Sequence, residues 1–236
     1  MNTLLSIRTA IQDDLTVGDE STLYSPNLID RAINRAYLKV AALFPWPELQ
    51  DALKTSTQVN QEYYDYPVTW RSNSIWKVAI NNERYGEDPD GSPLSFDDYL
   101  NWKEDNPDST EKKWANQWRR FFVWPVPTTA GTNNICVWGI KVVTELSADG
   151  DDTVFSYSTP EANEAIELEA VAILKSKGDN DNSAQFKSME AKGILVGSWN
   201  KIAREQAKYE KEAPLFYVTD MFSNGSSKDL RGRFDV

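Results

Sequence analysis

The sequence predicts a mixed α+β protein, mainly helical, in which helices from both ends form one bundle around an inserted β-rich block. Three observations predict it: helical periodicity before residue 45, helical periodicity again after residue 159, and short Thr-, Tyr- and Trp-rich runs between them. The helices can bury their apolar faces only against each other. We therefore expect a single domain of residues 1–212, with helices over 1–45 and 159–211, an insertion over 46–158, and an extended tail over 213–236.

Two amphipathic helices are predicted in the first 45 residues. In the first, leucine and isoleucine recur every three to four positions over residues 4–15. The second begins at Ser25, a capping residue, followed by Pro26, which suits a first helical turn, and it stops at Pro45. Its predicted buried face comprises Leu28, Ile29, Ala32, Ile33, Ala36, Tyr37, Val40 and Phe44.

The β-rich block begins after Pro45. Alternating and aromatic runs predict strands over 49–58, 62–66 and 75–80, and Ser95 begins a short helix after a turn-rich loop over 81–93. An aromatic strand over 118–124 and an apolar strand over 135–143 fit a β-hairpin with a long loop. An acidic loop over 147–152 then closes the β region.

Two further helices follow the β-rich block. Thr159 and Pro160 begin the first, which Gly178 ends and which buries Ala162, Ala165, Ile166, Ala170, Ile173 and Leu174. The last helix runs from about 182 to 211 and is expected to bury Phe186, Met189, Val196, Ala203 and Ala207. Its glycines, Gly193 and Gly197, each weaken a helix by roughly 1 kcal/mol relative to alanine. They predict a close crossing by another helix.

The C-terminal tail over 213–236 has no periodicity. It is too short to fold alone, yet it carries more aromatic residues than a solvated linker. We therefore expect it to dock on a partner through its apolar residues: Leu215, Phe216, Tyr217, Val218, Met221 and Phe222.

Composition excludes several classes of chemistry. The chain has no histidine and a single cysteine, Cys136, so the usual general base, an internal disulfide and a structural zinc site cannot be assembled from it. The glycines at 91, 131 and 150 are isolated, and no phosphate-binding loop is present. No stretch is apolar for long enough to span a membrane. We expect no metal and no cofactor.

The net charge of −11 has the wrong sign for holding nucleic acid through its phosphates. An acidic wall would instead let a duplex slide without sticking, although the charge is equally explained by solubility.

Carboxylate and aromatic clusters leave two alternatives open. A pair of carboxylates can hydrolyse a glycosidic bond, and the visible clusters are Asp97 with Asp98, Asp149 with Asp151 and Asp152, and Glu164 with Glu167. The first two are more simply a helix start and a solvated turn. A sugar-stacking surface is the other alternative, and its candidate residues, which also read as core strand residues, are Trp114, Trp118, Trp124 and Trp138.

The order of these features resembles the head-to-tail adaptor (connector, or head completion) family of tailed bacteriophages. The resemblance covers roughly residues 1–211 and is one of arrangement. Its most specific part is the strand Phe121-Phe122-Val123-Trp124 followed by the alternating prolines Pro125 and Pro127. The other matching features are the helix over 28–44 ending in Pro45-Trp46, the strand-turn-strand over 55–67, the segment over 70–80, the strand over 135–143 and the paired C-terminal helices. One departure is Tyr66, where the family often has leucine before the proline.

The resemblance implies a structural virion protein without catalytic activity. It implies a homo-oligomeric, twelvefold ring in the neck of the virion, beneath the portal protein and above a tail or stopper protein. Double-stranded DNA would pass through the lumen without specific binding, and assembly would take place in the host cytoplasm. It also implies that the C-terminal tail inserts into the portal.

Overall fold

The structure is a computed structural model that describes residues 3–16, 24–86, 92–177 and 181–206. It confirms the mixed α+β class, with five α-helices and two antiparallel sheets in the described ranges. The chain forms two compact units. The β unit comprises Pro45–Val143, and the helical unit is built from the described residues on either side of it.

The helical unit contains α1 (Leu4–Thr16), α2 (Pro26–Leu43), α4 (Pro160–Lys175) and α5 (Asp181–Gln206). Helix α4 contacts each of the other three helices. Arg8 Nε and Nη2 donate to the two carboxylate oxygens of Asp30, at 2.7 and 2.9 Å, and this bidentate pair joins α1 to α2. Glu169 of α4 accepts from Lys39 of α2 and from Ser188 of α5, so one carboxylate joins three helices.

The segment between the β unit and α4 packs on α1 and α2. Asn34 exchanges two hydrogen bonds with the backbone of Leu146, and Tyr37 Oη accepts from the amide of Val154 at 3.1 Å. The ring of Phe155 meets Tyr37 edge to face, with centroids 6.2 Å apart. The amide of Leu4 donates to a carbonyl of the acidic loop over 147–152, so this loop lies beside the start of α1 in the helical unit.

The predicted buried faces of α2 and α4 are largely confirmed; Leu28 and Ile173 are only partly buried. The face predicted for α5 is confirmed at Val196 and Ala203 and wrong at Phe186 and Met189, which are 76% and 55% exposed. Position 207 lies outside the described residues. Besides Val196 and Ala203, helix α5 buries four residues that were not predicted: Ala184, Ala191, Leu195 and Trp199.

The close helix crossing predicted at Gly193 and Gly197 is wrong for the described chain. A Cβ built at either glycine meets no atom within 4 Å. Both glycines lie on the exposed side of α5, as Phe186 and Met189 do, and nothing described in the chain fills the space above them.

The β unit contains two antiparallel sheets and α3 (Phe96–Asp105). The first sheet has the order β1-β7-β3-β4, formed by Gln50–Thr57, Gly131–Ile140, Lys77–Ile80 and Glu83–Tyr85. The second has the order β2-β6-β5, formed by Tyr63–Asp65, Arg120–Trp124 and Lys113–Gln117. The outermost strands of the unit in chain order, β1 and β7, are direct neighbours, with Gln50 opposite Ile140. The core of the unit is aromatic and aliphatic: Tyr64, Tyr66, Trp70, Ile75, Val78, Ile80, Tyr85, Trp114, Phe121, Val123, Ile135 and Val137.

The predicted hairpin between 118–124 and 135–143 is wrong. Strand β6 pairs with β2 and β5, whereas β7 pairs with β1 and β3 in the other sheet. Trp118 and Arg119 form a turn inside the predicted strand, so the run over 113–124 is itself a hairpin. Pro125 and Pro127 follow β6, and because they lack an N–H they suit the point where the chain leaves this sheet.

Helix starts agree only in part with the expected caps. Ser95 accepts from the amide of Asp98 at 3.1 Å, as a capping residue does, and Asp97 and Asp98 lie in the first turn of α3. Ser25 and Thr159 make no side-chain capping bond, although a proline follows each of them. Cys136 is partly exposed because β7 directs it away from the side on which Ile135 and Val137 are buried.

Candidate interaction surfaces

The expected site in the tail lies outside the described residues. All six of its apolar residues, from Leu215 to Phe222, are in the part of the chain that the structure does not describe. Their docking on a partner stays a prediction.

The β unit exposes three apolar side chains around one loop, which we call the Trp118 tip. Val68 is 88% exposed, Trp118 is 77% exposed and Val142 is 48% exposed. Three arginines accompany them: Arg71, Arg119 and Arg120. The amide of Val142 donates to Thr69 O at 2.7 Å, so the segment that follows β7 is joined to the loop over 67–73 at this end of the unit.

The turn between β5 and β6 is bound to the same loop. Arg119 donates to the carbonyls of Pro67 and Trp70, at 2.6 and 3.1 Å, and Trp118 O accepts from the amide of Asn73 at 3.0 Å. Trp118 has a φ of 58°, in the region that favours glycine. A positive φ at the first central residue of a two-residue hairpin loop is the requirement of a type II′ turn. A tryptophan there is unusual, and sequence reasoning missed the turn because neither glycine nor asparagine marked it.

The helical unit exposes two further groups of side chains. One is the exposed side of α5, which carries Phe186, Met189 and the two glycines whose Cβ positions contact no described atom. The other lies before α4, where Tyr157 is 75% exposed and its hydroxyl is 3.4 Å from an Asp152 oxygen. Large aromatic and methionine side chains are enriched in protein interfaces.

The carboxylates of the acidic loop, considered for glycan hydrolysis, have partners within the helical unit. Asp151 folds back on its own loop and accepts from the amides of Ser147 and Ala148, at 2.7 and 2.8 Å, which lower its pKa. Asp149 pairs with Arg8 at 2.9 Å. Both are accounted for by local structure.

The third cluster lines a small cleft between α1, α4 and α5. Asp14, Glu164 and Glu167 border a cavity of about 200 Å³, and Lys187 Nζ lies 3.6 Å from Asp14 Oδ2. Burial, and secondarily the charge of Glu164, raises the pKa of Glu167 to about 6. The cavity is smaller than the roughly 300–1,000 Å³ usual for small-molecule sites.

The four tryptophans considered for sugar stacking do not form one surface. Trp114 is completely buried, and only Trp118 is well exposed. Trp114 pairs with Val123 and Trp124 pairs with Lys113, so Trp114 and Trp124 lie on opposite faces of their sheet. Trp138 belongs to the other sheet, where Lys77 Nζ lies 4.5 Å from its ring centroid.

Two classes of site are absent from the described ranges. In these ranges, no three acidic or cysteine side chains lie close enough together to hold a metal ion. No helix among them is both long and apolar enough to cross a bilayer.

Comparison with models of protein families identifies a matching family. The family model described as SU10 adaptor protein matches residues 2–206, a span that contains all five helices and both sheets. No curated protein matches the chain.

Proposed function

The chain belongs to the SU10 adaptor protein family, which makes it a bacteriophage structural adaptor, and we propose that its copies form a twelvefold ring beneath the portal. The family match over residues 2–206 carries this proposal, and it confirms the resemblance seen in the sequence. In the proposed ring the helices of both chain ends form one bundle in each subunit, from which the β unit is an insertion. The ring joins the portal above to a tail or stopper protein below.

The proposed subunit contacts are supported by the exposed apolar side chains. Trp118, Tyr157 and Phe186 are each more than 70% exposed, and they lie in three different parts of the chain. Side chains of this size are favoured in interfaces, where they remove a large apolar area from water. A heterologous contact between two such surfaces, repeated around an axis, closes a ring.

The proposed lumen carries the DNA without binding it. The net charge of −11 opposes the phosphate backbone, so the duplex would not be held by counterion release. Passage without specific binding is the behaviour that a conduit between head and tail requires.

The tail is proposed to attach the ring to the portal. Leu215 and Phe222 bound its apolar segment, which has the composition of a peptide that adds a strand or fills a groove. The family match ends at residue 206, before this segment, so its role rests on composition alone.

Co-expression with the portal protein of the same phage tests the proposal. We expect purified portal to carry a ring of this chain, with its subunits counted by electron microscopy of the complex. Deleting residues 213–236 should abolish attachment while the far-UV circular dichroism of the free chain stays helical. Deleting only residues 223–236 is the matched control and should retain attachment. A portal that never acquires a ring would overturn the proposed function.

Glycan hydrolysis is a second candidate, which one observation favours. Glu167, with its pKa raised to about 6, has the property of a general acid and lies in the cleft with Asp14 and Glu164. Purified chain incubated with peptidoglycan should release reducing ends if this candidate is correct, and Glu167→Gln should prevent the release. Intact peptidoglycan after incubation with the unmodified chain would remove the candidate.

A further inference from the structure

We propose that the Trp118 tip of one copy docks on the acidic segment around Tyr157 in the helical unit of a second copy. This inference rests on the proposed ring, for which it names the two surfaces in contact. The acidic segment is defined as residues 145–164, which include Asp152 and Tyr157.

The backbone beneath the Trp118 tip is fixed before any partner binds. Carbonyls on both sides of the exposed Val68 accept from Arg119, at 2.6 and 3.1 Å, and the amide of Tyr66 donates to Arg119 O at 2.8 Å. The amide of Asn73 donates to Trp118 O, which fixes the other side of the turn. A surface held in this way loses little conformational entropy on binding, which favours affinity.

Trp118 is not explained by the fold of its own chain. Its φ of 58° is unfavourable for a bulky side chain, and its indole is 77% exposed. A glycine would adopt this backbone without strain. Strain of this kind is concentrated at functional sites, and an exposed tryptophan is among the commonest anchors of protein interfaces.

The charge of the Trp118 tip is opposite to that of the chain as a whole. The hydrogen bonds described for the Arg119 guanidinium go to carbonyl oxygens, which do not neutralise it. Arg120 lies 2.9 Å from Asp65, the only acidic residue between Glu62 and Glu83. Arg119 therefore makes the tip positive in a chain of net charge −11.

The acidic segment has the complementary character. Residues 145–164 contain six acidic residues and no lysine or arginine. Two of the six, Asp149 and Glu161, pair with Arg8 and Lys201 at 2.9 and 3.8 Å, and the other four have no ion pair described. Glu145 and Asp152 are exposed, and Tyr157 between this loop and α4 is 75% exposed. Tyr157, whose hydroxyl lies 3.4 Å from an Asp152 oxygen, is therefore exposed on an acidic segment, whereas Trp118 is exposed next to Arg119 and Arg120 in the chain.

The complementarity favours a heterologous contact over a symmetric one. Two tips facing each other would bring arginines together, and two acidic segments would bring carboxylates together, so both symmetric pairings are repulsive. The tip and the acidic segment belong to different units of the same chain. Every copy can therefore offer one surface to each of two neighbours, as a closed ring requires.

Disulfide trapping in the full chain tests the contact. Cys136→Ser leaves a chain without cysteine, into which Val68→Cys and Tyr157→Cys are introduced separately, on copies carrying tags of different mass, so that the Trp118 indole is kept. Mixing the two under mild oxidation should give a covalent heterodimer, and a chain with both substitutions should give a ladder of oligomers. Val59→Cys is the matched control for Val68→Cys, because both valines are exposed in the β unit, but Val59 precedes β2 whereas Val68 follows it.

A second variant separates docking from folding. Trp118→Gly removes the indole and suits the positive φ, so its melting temperature should equal or exceed that of the unmodified chain. Trapping between Val68→Cys and Tyr157→Cys should nevertheless fall about tenfold in the Trp118→Gly background, a loss typical of an interface anchor. Added salt should weaken trapping in the unmodified tip, because the contact is between opposite charges.

Three results would overturn the inference: heterodimers no more abundant than with Val59→Cys, trapping of Val68→Cys only with itself, or unchanged trapping in the Trp118→Gly background. The proposed function is judged separately by the ring on the portal. A ring without trapping refutes this contact alone, and trapping without a portal-bound ring refutes the proposed function alone.

Discussion

Phe44 stacks face to face on Trp199, with ring centroids 5.2 Å apart and ring planes within 4° of parallel. The pair joins the end of α2 to α5, and both rings are buried. Trp199→Ala would leave a large cavity at this junction, and we expect it to lower the free energy of unfolding by about 3–5 kcal/mol. Chemical denaturation followed by far-UV circular dichroism measures the change. Trp199→Phe, which keeps an aromatic partner for Phe44, should lose much less; equal losses would contradict the importance of stacking.

Gly139 is required because Trp70 occupies the space of its missing side chain. A Cβ at this position would lie 2.3 Å from two carbons of the indole. Gly139→Ala should therefore destabilise the β unit by about 1–3 kcal/mol through overpacking. Gly150→Ala is the control, since a Cβ there meets nothing within 4 Å. Thermal unfolding followed by tryptophan fluorescence distinguishes the two, and similar melting temperatures would show that Trp70 moves aside freely.

The two exposed glycines of α5 give the opposite expectation. Gly193→Ala and Gly197→Ala should each stabilise the free chain by roughly 0.5–1 kcal/mol, because alanine favours the helix and nothing described in the chain clashes with its Cβ. Urea denaturation of the isolated protein measures the gain. A loss of stability would mean that another part of the chain covers this side of α5.

The stability of the helical unit should depend on the titration of Glu167. Its pKa is about 6, above the ordinary 4.5, so the folded chain binds the proton more tightly than the unfolded chain. Stability should therefore fall as the pH rises from about 4.5 to about 6, by on the order of 1 kcal/mol, because Glu167 is only partly buried and solvent screens part of the effect. Glu167→Gln should lack this part of the pH dependence and be the more stable protein at pH 7. Denaturation curves across this range test it, and parallel profiles would contradict it.

The helices were predictable from sequence wherever one apolar track dominates. Helices α2 and α4 have a single such track, and their buried faces agree with the periodicity almost throughout. Helix α5 carries two tracks, and local spacing does not determine which one faces the core. The track with Phe186 and Met189 is the more apolar in appearance, yet the track with Leu195 and Trp199 is buried.

The strand pairing of the β unit could not be predicted, because it is set by contacts distant in sequence. Strand β5 reads as polar, and its neighbour β6 reads as a continuation of an aromatic run. The turn between them lies at Trp118, where the sequence has no residue that favours a positive φ. The Trp118 tip therefore could not be predicted from the sequence pattern, because only the fold brings Val68, Trp118 and Val142 to one end of the unit.

The pairing of Gln50 with Ile140 places the entry and exit of the β unit side by side. Only two adjoining junctions then connect this module to the rest of the polypeptide. During evolution, phages can lengthen, shorten or exchange such a module without rerouting the chain through the helices, since closure of the inserted segment is already satisfied within its own sheet. Sequence divergence between adaptors is accordingly expected to concentrate inside this interval, while the junctions keep their spacing.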